Sequence, residues 1–188
     1  MRIAYFNANL RRGQDGITRM MYKMFEGALN RNHDQKRMEF QMVVVGDGHA
    51  REEFQKMMPN AHFLGYQSGR TLAESFASAD IFVFPSTTET FGLVTLEAMA
   101  SGLAPVAAKV GGATGIIEEG KSGLLAAPCD SSELADRVEF LLRHLTQRRR
   151  IAASALQRAQ EFSWDGILRQ LFKSYESVID EHRQTRAA

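Results

Sequence analysis

One cysteine, Cys129, stands in 188 residues, and a single thiol excludes an internal disulfide framework. The five histidines are scattered and none lies at ligand spacing from another, so neither a structural zinc site nor a metal at the functional site is expected. No apolar run approaches the ~18 residues that a membrane-spanning helix needs. The opening Ile3-Ala4-Tyr5-Phe6 is too short for a signal peptide, and with one thiol the expectation is a cytoplasmic, reducing location. Only four prolines interrupt the chain, and with 44% hydrophobic and 24% charged residues it has the material for one well-packed domain. The net charge of +1 excludes a strongly basic nucleic-acid binder. It hides an uneven distribution, because segments 1–40 and 137–188 have an excess of basic side chains and 41–136 an excess of acidic ones. Arg143 with Arg148-Arg149-Arg150 forms a local basic cluster. A phosphate, a peripheral contact with an anionic membrane surface and a plain solvated face are all open for it.

Short apolar runs at 3–6, 42–45, 62–64, 81–84, 104–108 and 124–126 alternate with segments of helical period at 17–32, 49–58, 70–78, 92–101, 113–119 and 131–146. The runs are apolar throughout, as in strands covered on both faces. The expected fold class is therefore α/β, a single Rossmann-like domain with about six parallel strands and helices on both faces. Asp130 supplies a polar cap for a helix over 131–150 whose stripe is Leu134, Val138, Leu141, Leu142 and Leu145. The tail is expected to be helical from 151 to 179 with a break at 162–165, where Ser163 caps a new helix bearing Ile167, Leu168, Leu171, Phe172, Tyr175 and Ile179.

In open parallel sheets, ligands bind beyond the carboxyl ends of the strands. Several loops there are rich in glycine: Gly13 and Gly16 after the first run, Gly46 and Gly48 after the second, Gly111-Gly112 after the fifth. Glycine lets backbone approach a ligand, and a following helix start offers unpaired N–H groups to an anion. Between Thr90 and Ala108 the only charged side chain is Glu97, on a helix that reads as buried nearly all round. Such a carboxylate is costly without a partner; sugar or ribose hydroxyls would serve, and an internal arginine or backbone N–H stays open. Helical rise places it roughly 7–9 Å beyond the N–H groups at Phe91-Gly92, about the span from a diphosphate to the ribose of one nucleotide. Glu89, in the loop before the helix, would meet whatever projects beyond the phosphate.

The run Glu89-Thr90-Phe91-Gly92 with Glu97-Ala98-Met99-Ala100-Ser101-Gly102 carries a resemblance. So do Val44-Val45-Gly46-Asp47-Gly48, Phe63-Leu64-Gly65-Tyr66, Ala79-Asp80-Ile81-Phe82-Val83-Phe84-Pro85-Ser86, Val110-Gly111-Gly112 and Gly120-Lys121-Ser122-Gly123-Leu124-Leu125. Over residues 40–180 the chain resembles the donor-binding, C-terminal half of the group 1 (family 4-like) retaining glycosyltransferases of the GT-B fold. The resemblance implies that a nucleoside diphosphate sugar, either a UDP-sugar or a GDP-sugar, is the substrate, with no cofactor. It implies transfer with retention and without a metal ion. Glu89 is the catalytic candidate and touches sugar hydroxyls. Thr90, Phe91, Gly92 and Leu93 border sugar and diphosphate, Glu97 holds the ribose, and the segment at Tyr66 borders the base, with Gly46 and Gly48 beside the ligand.

The sequence also departs from the family. Residues 1–40 resemble the start of the N-terminal, acceptor-binding lobe, followed by a core over 41–150 and C-terminal helices over 151–188. The first strand–glycine loop–helix unit could take the sheet position of the donor domain's own first strand, which would bring Arg11, Arg12 and Gly16 to the phosphate. Gly115 stands where the family carries a carboxylate. The apolar face of the last helix lacks its usual cover, so a homodimer or a partner chain is expected there. Two functions stay open: an active glycosyltransferase, and a nucleotide-sugar-binding module without an acceptor site. An NAD-dependent dehydrogenase is disfavoured, because Gly46-Asp47-Gly48-His49-Ala50-Arg51 breaks the G-x-G-x-x-G pattern and follows the second strand.

Overall fold

Successive strand residues point to opposite faces of a sheet, so a strand apolar at every position has to be covered twice. The computed structural model describes residues 2–6 and 40–187, with side chains from 40 to 182, and the last three strands behave in this way. The order is β1 (Arg2–Phe6), β2 (Gln41–Val45), α1 (Arg51–Met57), β3 (His62–Gly65), α2 (Gly69–Ala77), β4 (Ile81–Phe84), α3 (Leu93–Ala100), β5 (Ala104–Ala108), α4 (Gly111–Ile116), β6 (Leu124–Ala126), α5 (Ser131–Arg143), α6 (Leu145–Gln160) and α7 (Trp164–Ala187). Every residue of β4, β5 and β6 is buried. Outer strand β3 keeps only Gly65 buried, whereas β6 at the other edge has both faces covered by the core.

All pairings are parallel and the sheet order is β3-β2-β1-β4-β5-β6. β1 thus takes the centre of the sheet, the place expected for the opening strand, paired from Arg2↔Gln41 to Phe6↔Val45 on one side and with β4 on the other. The order reverses direction between β1 and β4, the position at which such sheets open a crevice. Arg11, Arg12 and Gly16, and the helix expected over 17–32, lie outside the described residues.

Alternation divides the core in two. Met42, Val44, Ile81, Val83, Ala104, Val106, Leu124 and Ala126 face Phe54 and Met58 at α1 and Leu134, Val138, Leu141 and Leu142 of α5. Val45, Phe82, Phe84, Ala107 and Leu125 face Phe76 of α2, Ala98 and Met99 of α3, and Ala113 and Ile116 of α4. Asp130 caps α5 by accepting the Ser132 and Glu133 N–H groups, both at 2.9 Å. Glu133 does not complete a capping box but accepts the Ala127 N–H at 2.7 Å. That bond, with the Arg137 guanidinium, holds its carboxyl below the ordinary carboxylate range.

The single helix expected over 131–150 is two helices, parted at His144, and Leu145 is exposed rather than part of the stripe. No glycine or proline marks the break. Its cause is tertiary: α5 serves one face of the sheet, while α6 gives Ile151 to that core and Ala155 and Ala159 to the other, and one straight helix could not do both. Arg148 donates to the Leu141 carbonyl at 3.2 Å near the end of α5 and lies 3.9 Å from Asp80 with its side chain 11% exposed. This member of the basic cluster is therefore built into the fold. Ser163 does cap α7, accepting the Gly166 N–H at 3.2 Å. From Trp164 to His182 every side chain described on α7 is exposed apart from the Gly166 position. No helix among the described residues is long and apolar enough to cross a membrane.

Candidate functional site

A cavity of about 530 Å³ opens at the carboxyl ends of β2, β3 and β4, within the usual range for small-ligand sites. Val45 and Gly46 form its floor after β2; Tyr66, Gln67, Ser68 and Gly69 border it after β3; Ser86, Thr88 and Glu89 come from the loop after β4, and Leu93, Val94 and Glu97 from α3. Five positions singled out from the sequence, Gly46, Tyr66, Glu89, Leu93 and Glu97, therefore meet on one cavity. Thr90 and Phe91 are exposed in the loop that enters α3, Gly92 is buried at its start, and Gly48 lies in the loop after Gly46. None of these four lines the cavity.

The start of α3 is built around Gly92, whose φ of 92° is in the left-handed region that favours glycine. A Cβ there would also stand 3.1 Å from Ile116 Cδ1. The Gly92 N–H donates to Glu89 Oε1 at 3.0 Å, so a carboxylate already occupies the position where a helix start attracts anions. The Glu89 backbone is held as well, since the Gly112 N–H donates to its carbonyl at 3.4 Å. The contact leaves no room for side chains: a Cβ on Gly111 would come within 2.1 Å of the Glu89 carbonyl oxygen, and one on Gly112 within 1.9 Å of that of Phe91. The two glycines are required by packing against the site loop.

Glu97 corrects an expectation. The helix is not buried all round: Thr95, Ala98 and Met99 are buried, while Leu93, Glu97 and Ala100 are exposed. One turn apart, Leu93 and Glu97 share a face, and this face lines the cavity. The carboxylate is exposed because it projects into the crevice. Gly115, where the family carries a carboxylate, lies exposed near the end of α4 and does not line the cavity. Its carbonyl accepts from Arg158 at 3.2 Å.

Sequence reasoning missed Gln67, Ser68, Ser86 and Thr88, which add polar groups to the rim. Their signal was position alone, in loops that follow strands at the carboxyl edge. Gln67 Nε2 is tied to the Leu64 carbonyl at 2.7 Å, which stiffens the turn carrying Tyr66, 71% exposed at the cavity. Among the described residues, no group of three or more His, Cys, Asp or Glu side chains forms a metal site. A helix start, two carboxylates and an exposed aromatic ring on one concave surface suit a ligand with an anionic centre, several hydroxyls and a flat ring.

The family model described as glycosyl transferases group 1 matches residues 3–144, which include β1 apart from Arg2. The chain is 36% identical over 144 residues to the GDP-mannose-dependent alpha-mannosyltransferase of Corynebacterium glutamicum, covering 76% of this chain and 35% of that protein. Its fold is similar to that of an Anabaena protein crystallised with UDP and glucose, at a TM-score of 0.72 and 25% identity over 94% of this chain and 48% of the other. It also matches the C-terminal domain of a group 1 family glycosyl transferase from Francisella tularensis, at a TM-score of 0.68 and 24% identity over 86% and 85% of the two chains. The chain spans between about a quarter and two fifths of the length of the curated relatives it matches.

Proposed function

The chain belongs to the group 1 glycosyl transferases, and we infer that its cavity binds a nucleoside diphosphate sugar, a UDP-sugar or GDP-sugar, as glycosyl donor. One observation carries this reading: Glu89 and Glu97 converge on a single cavity at the start of α3. In the proposed pose the ribose hydroxyls donate to Glu97, the diphosphate lies against the N–H groups of Gly92 and Leu93, the sugar hydroxyls reach Glu89, and the base stacks beside Tyr66. The positive end of α3 then stabilises the leaving diphosphate, a preorganised electrostatic contribution that needs no reorganisation during the reaction. Transfer is proposed to retain the anomeric configuration, to need no metal ion and to take place in the cytoplasm. Donor entry also has a local consequence, because the Gly92 N–H must leave or share its bond with Glu89.

A second reading keeps the binding and omits turnover. It rests on the cavity itself, which accounts for a donor alone, whereas transfer needs an acceptor site as well. Variants separate the roles within the cavity. Glu97→Ala is expected to weaken free nucleotide and nucleotide sugar alike, by roughly 10- to 100-fold, the size of a lost hydrogen bond to a charged group. Glu89→Ala is expected to weaken the nucleotide sugar far more than the free nucleotide. Equal losses for both ligands in Glu89→Ala would remove its assignment to the sugar, and unchanged affinities in Glu97→Ala would remove the ribose assignment. Product formation from labelled donor, with and without added acceptors, decides between the two readings.

A further inference from the structure

Arg158 of α6 does not line the cavity, yet two nitrogens of its guanidinium are bonded to the element that braces the loop before α3. Its Nε donates to the Ile116 carbonyl at 3.3 Å and its Nη2 to the Gly115 carbonyl at 3.2 Å. The third nitrogen pairs with Glu161, and the cation lies 4.8 Å from the centre of the Phe162 ring. Those two carbonyls are the last of α4, a six-residue helix whose N-cap residue, Val110, makes no side-chain cap hydrogen bond. A cation here satisfies acceptors that a helix end leaves unpaired and suits the negative end of its dipole. Only a planar fork can bridge two adjacent carbonyls while keeping a carboxylate on its other edge.

From Ile116 the contact continues directly to the site. Its Cδ1 lies beneath Gly92, 3.1 Å from where a Cβ would stand, and the Ala113 nitrogen is 3.6 Å from the same point. At the other end of α4, Gly111 and Gly112 press on the carbonyls of Glu89 and Phe91. The short helix is thus a wedge, anchored by Arg158 at one end and seated on residues 89–92 along its length.

We propose that Arg158 is a positioning residue for the donor loop, setting Glu89 and the Gly92 N–H through α4. The effect on ligand rests on the nucleotide-sugar reading, but the mechanical coupling does not. Displacements of about 1 Å imposed from outside a site can change its performance up to about 100-fold, so Arg158→Met is expected to weaken nucleotide-sugar binding roughly 10- to 100-fold.

The test measures backbone amide shifts and hydrogen exchange in the whole unliganded chain, beside ligand titrations. In Arg158→Met, the amides of Gly92 and Gly112 are expected to shift and to exchange faster while those of β4 and β5 keep their protection. Arg158→Lys retains the charge at the end of α4 without the fork. It is expected to recover most of the melting temperature but not the loop protection, which a merely structural role would restore together. Ile116→Val, which removes Cδ1, should move the Gly92 amide while Arg158 is intact. If Arg158→Met does not fold, Arg158→Lys and Ile116→Val make the same comparison. Unchanged Gly92 and Gly112 amides, or their full restoration by lysine, would overturn the proposal. Absence of nucleotide binding by the unsubstituted chain would instead count against the donor reading, with the amides still deciding the role of Arg158.

Discussion

Helices α5 and α7 carry the same kind of apolar stripe and occupy opposite environments. In α5, Leu134, Val138, Leu141 and Leu142 are buried against β4, β5 and β6. In α7, Trp164, Leu168, Leu171, Phe172, Tyr175, Val178 and Ile179 are all exposed, Trp164 by 77%. Periodicity identifies which face of a helix seeks cover, but it carries no record of what supplies that cover. For α5 the sheet lies beneath, whereas for α7 the described residues place nothing over the stripe. The expectation of a second copy or partner chain on that face remains a proposal.

The same truncation made in both helices measures the difference. Leu141→Ala removes a side chain with no exposure and is expected to cost about 2–5 kcal/mol in chemical denaturation, because the space cannot fully collapse. Next in size is Gly112→Ala, where the added Cβ would overlap the Phe91 carbonyl. About 1–3 kcal/mol of lost stability is expected, with donor binding lost as well, because residues 89–92 must move. Thr95 Oγ1 is buried in α3 without a hydrogen-bond partner, so Thr95→Val should stabilise the chain by about 1 kcal/mol, seen as a higher melting temperature. The smallest effect is expected from Leu171→Ala, within about 0.5 kcal/mol, since its side chain is already in water. A cost near that of Leu141→Ala would show that α7 is covered in solution and would end the contrast. Sedimentation over a concentration series would then say whether the cover is another copy.

The sheet was legible because its signal is local and repeated. The segments 81–84, 104–108 and 124–126 are apolar at each position, and they became β4, β5 and β6 with no change of boundary. The break at His144 was not legible, because the reason for it lies in which side of the sheet each helix must reach. Glu97 shows a related limit. Its apolar sequence neighbours suggested burial on all sides, but Leu93 and Ala100 share its exposed side, so a residue of the cavity lining was singled out from a mistaken environment. Gly111 and Gly112 read as turn or phosphate-loop glycines, whereas in the fold their role is to let α4 approach the carbonyls of Glu89 and Phe91. The long-range hydrogen bonds of Arg158 to Gly115 and Ile116 span more than forty positions, and no periodicity reports a pairing of that range.

The cavity at the start of α3 is proposed as a donor site. The most direct measurement is calorimetric titration of the chain with UDP, GDP and ADP, followed by the matching sugar nucleotides, with Glu97→Ala as control. Saturable binding of a uridine or guanosine diphosphate is expected, strengthened by its sugar and weakened in Glu97→Ala. Absence of binding to all of them, or binding untouched by that substitution, would contradict the proposal.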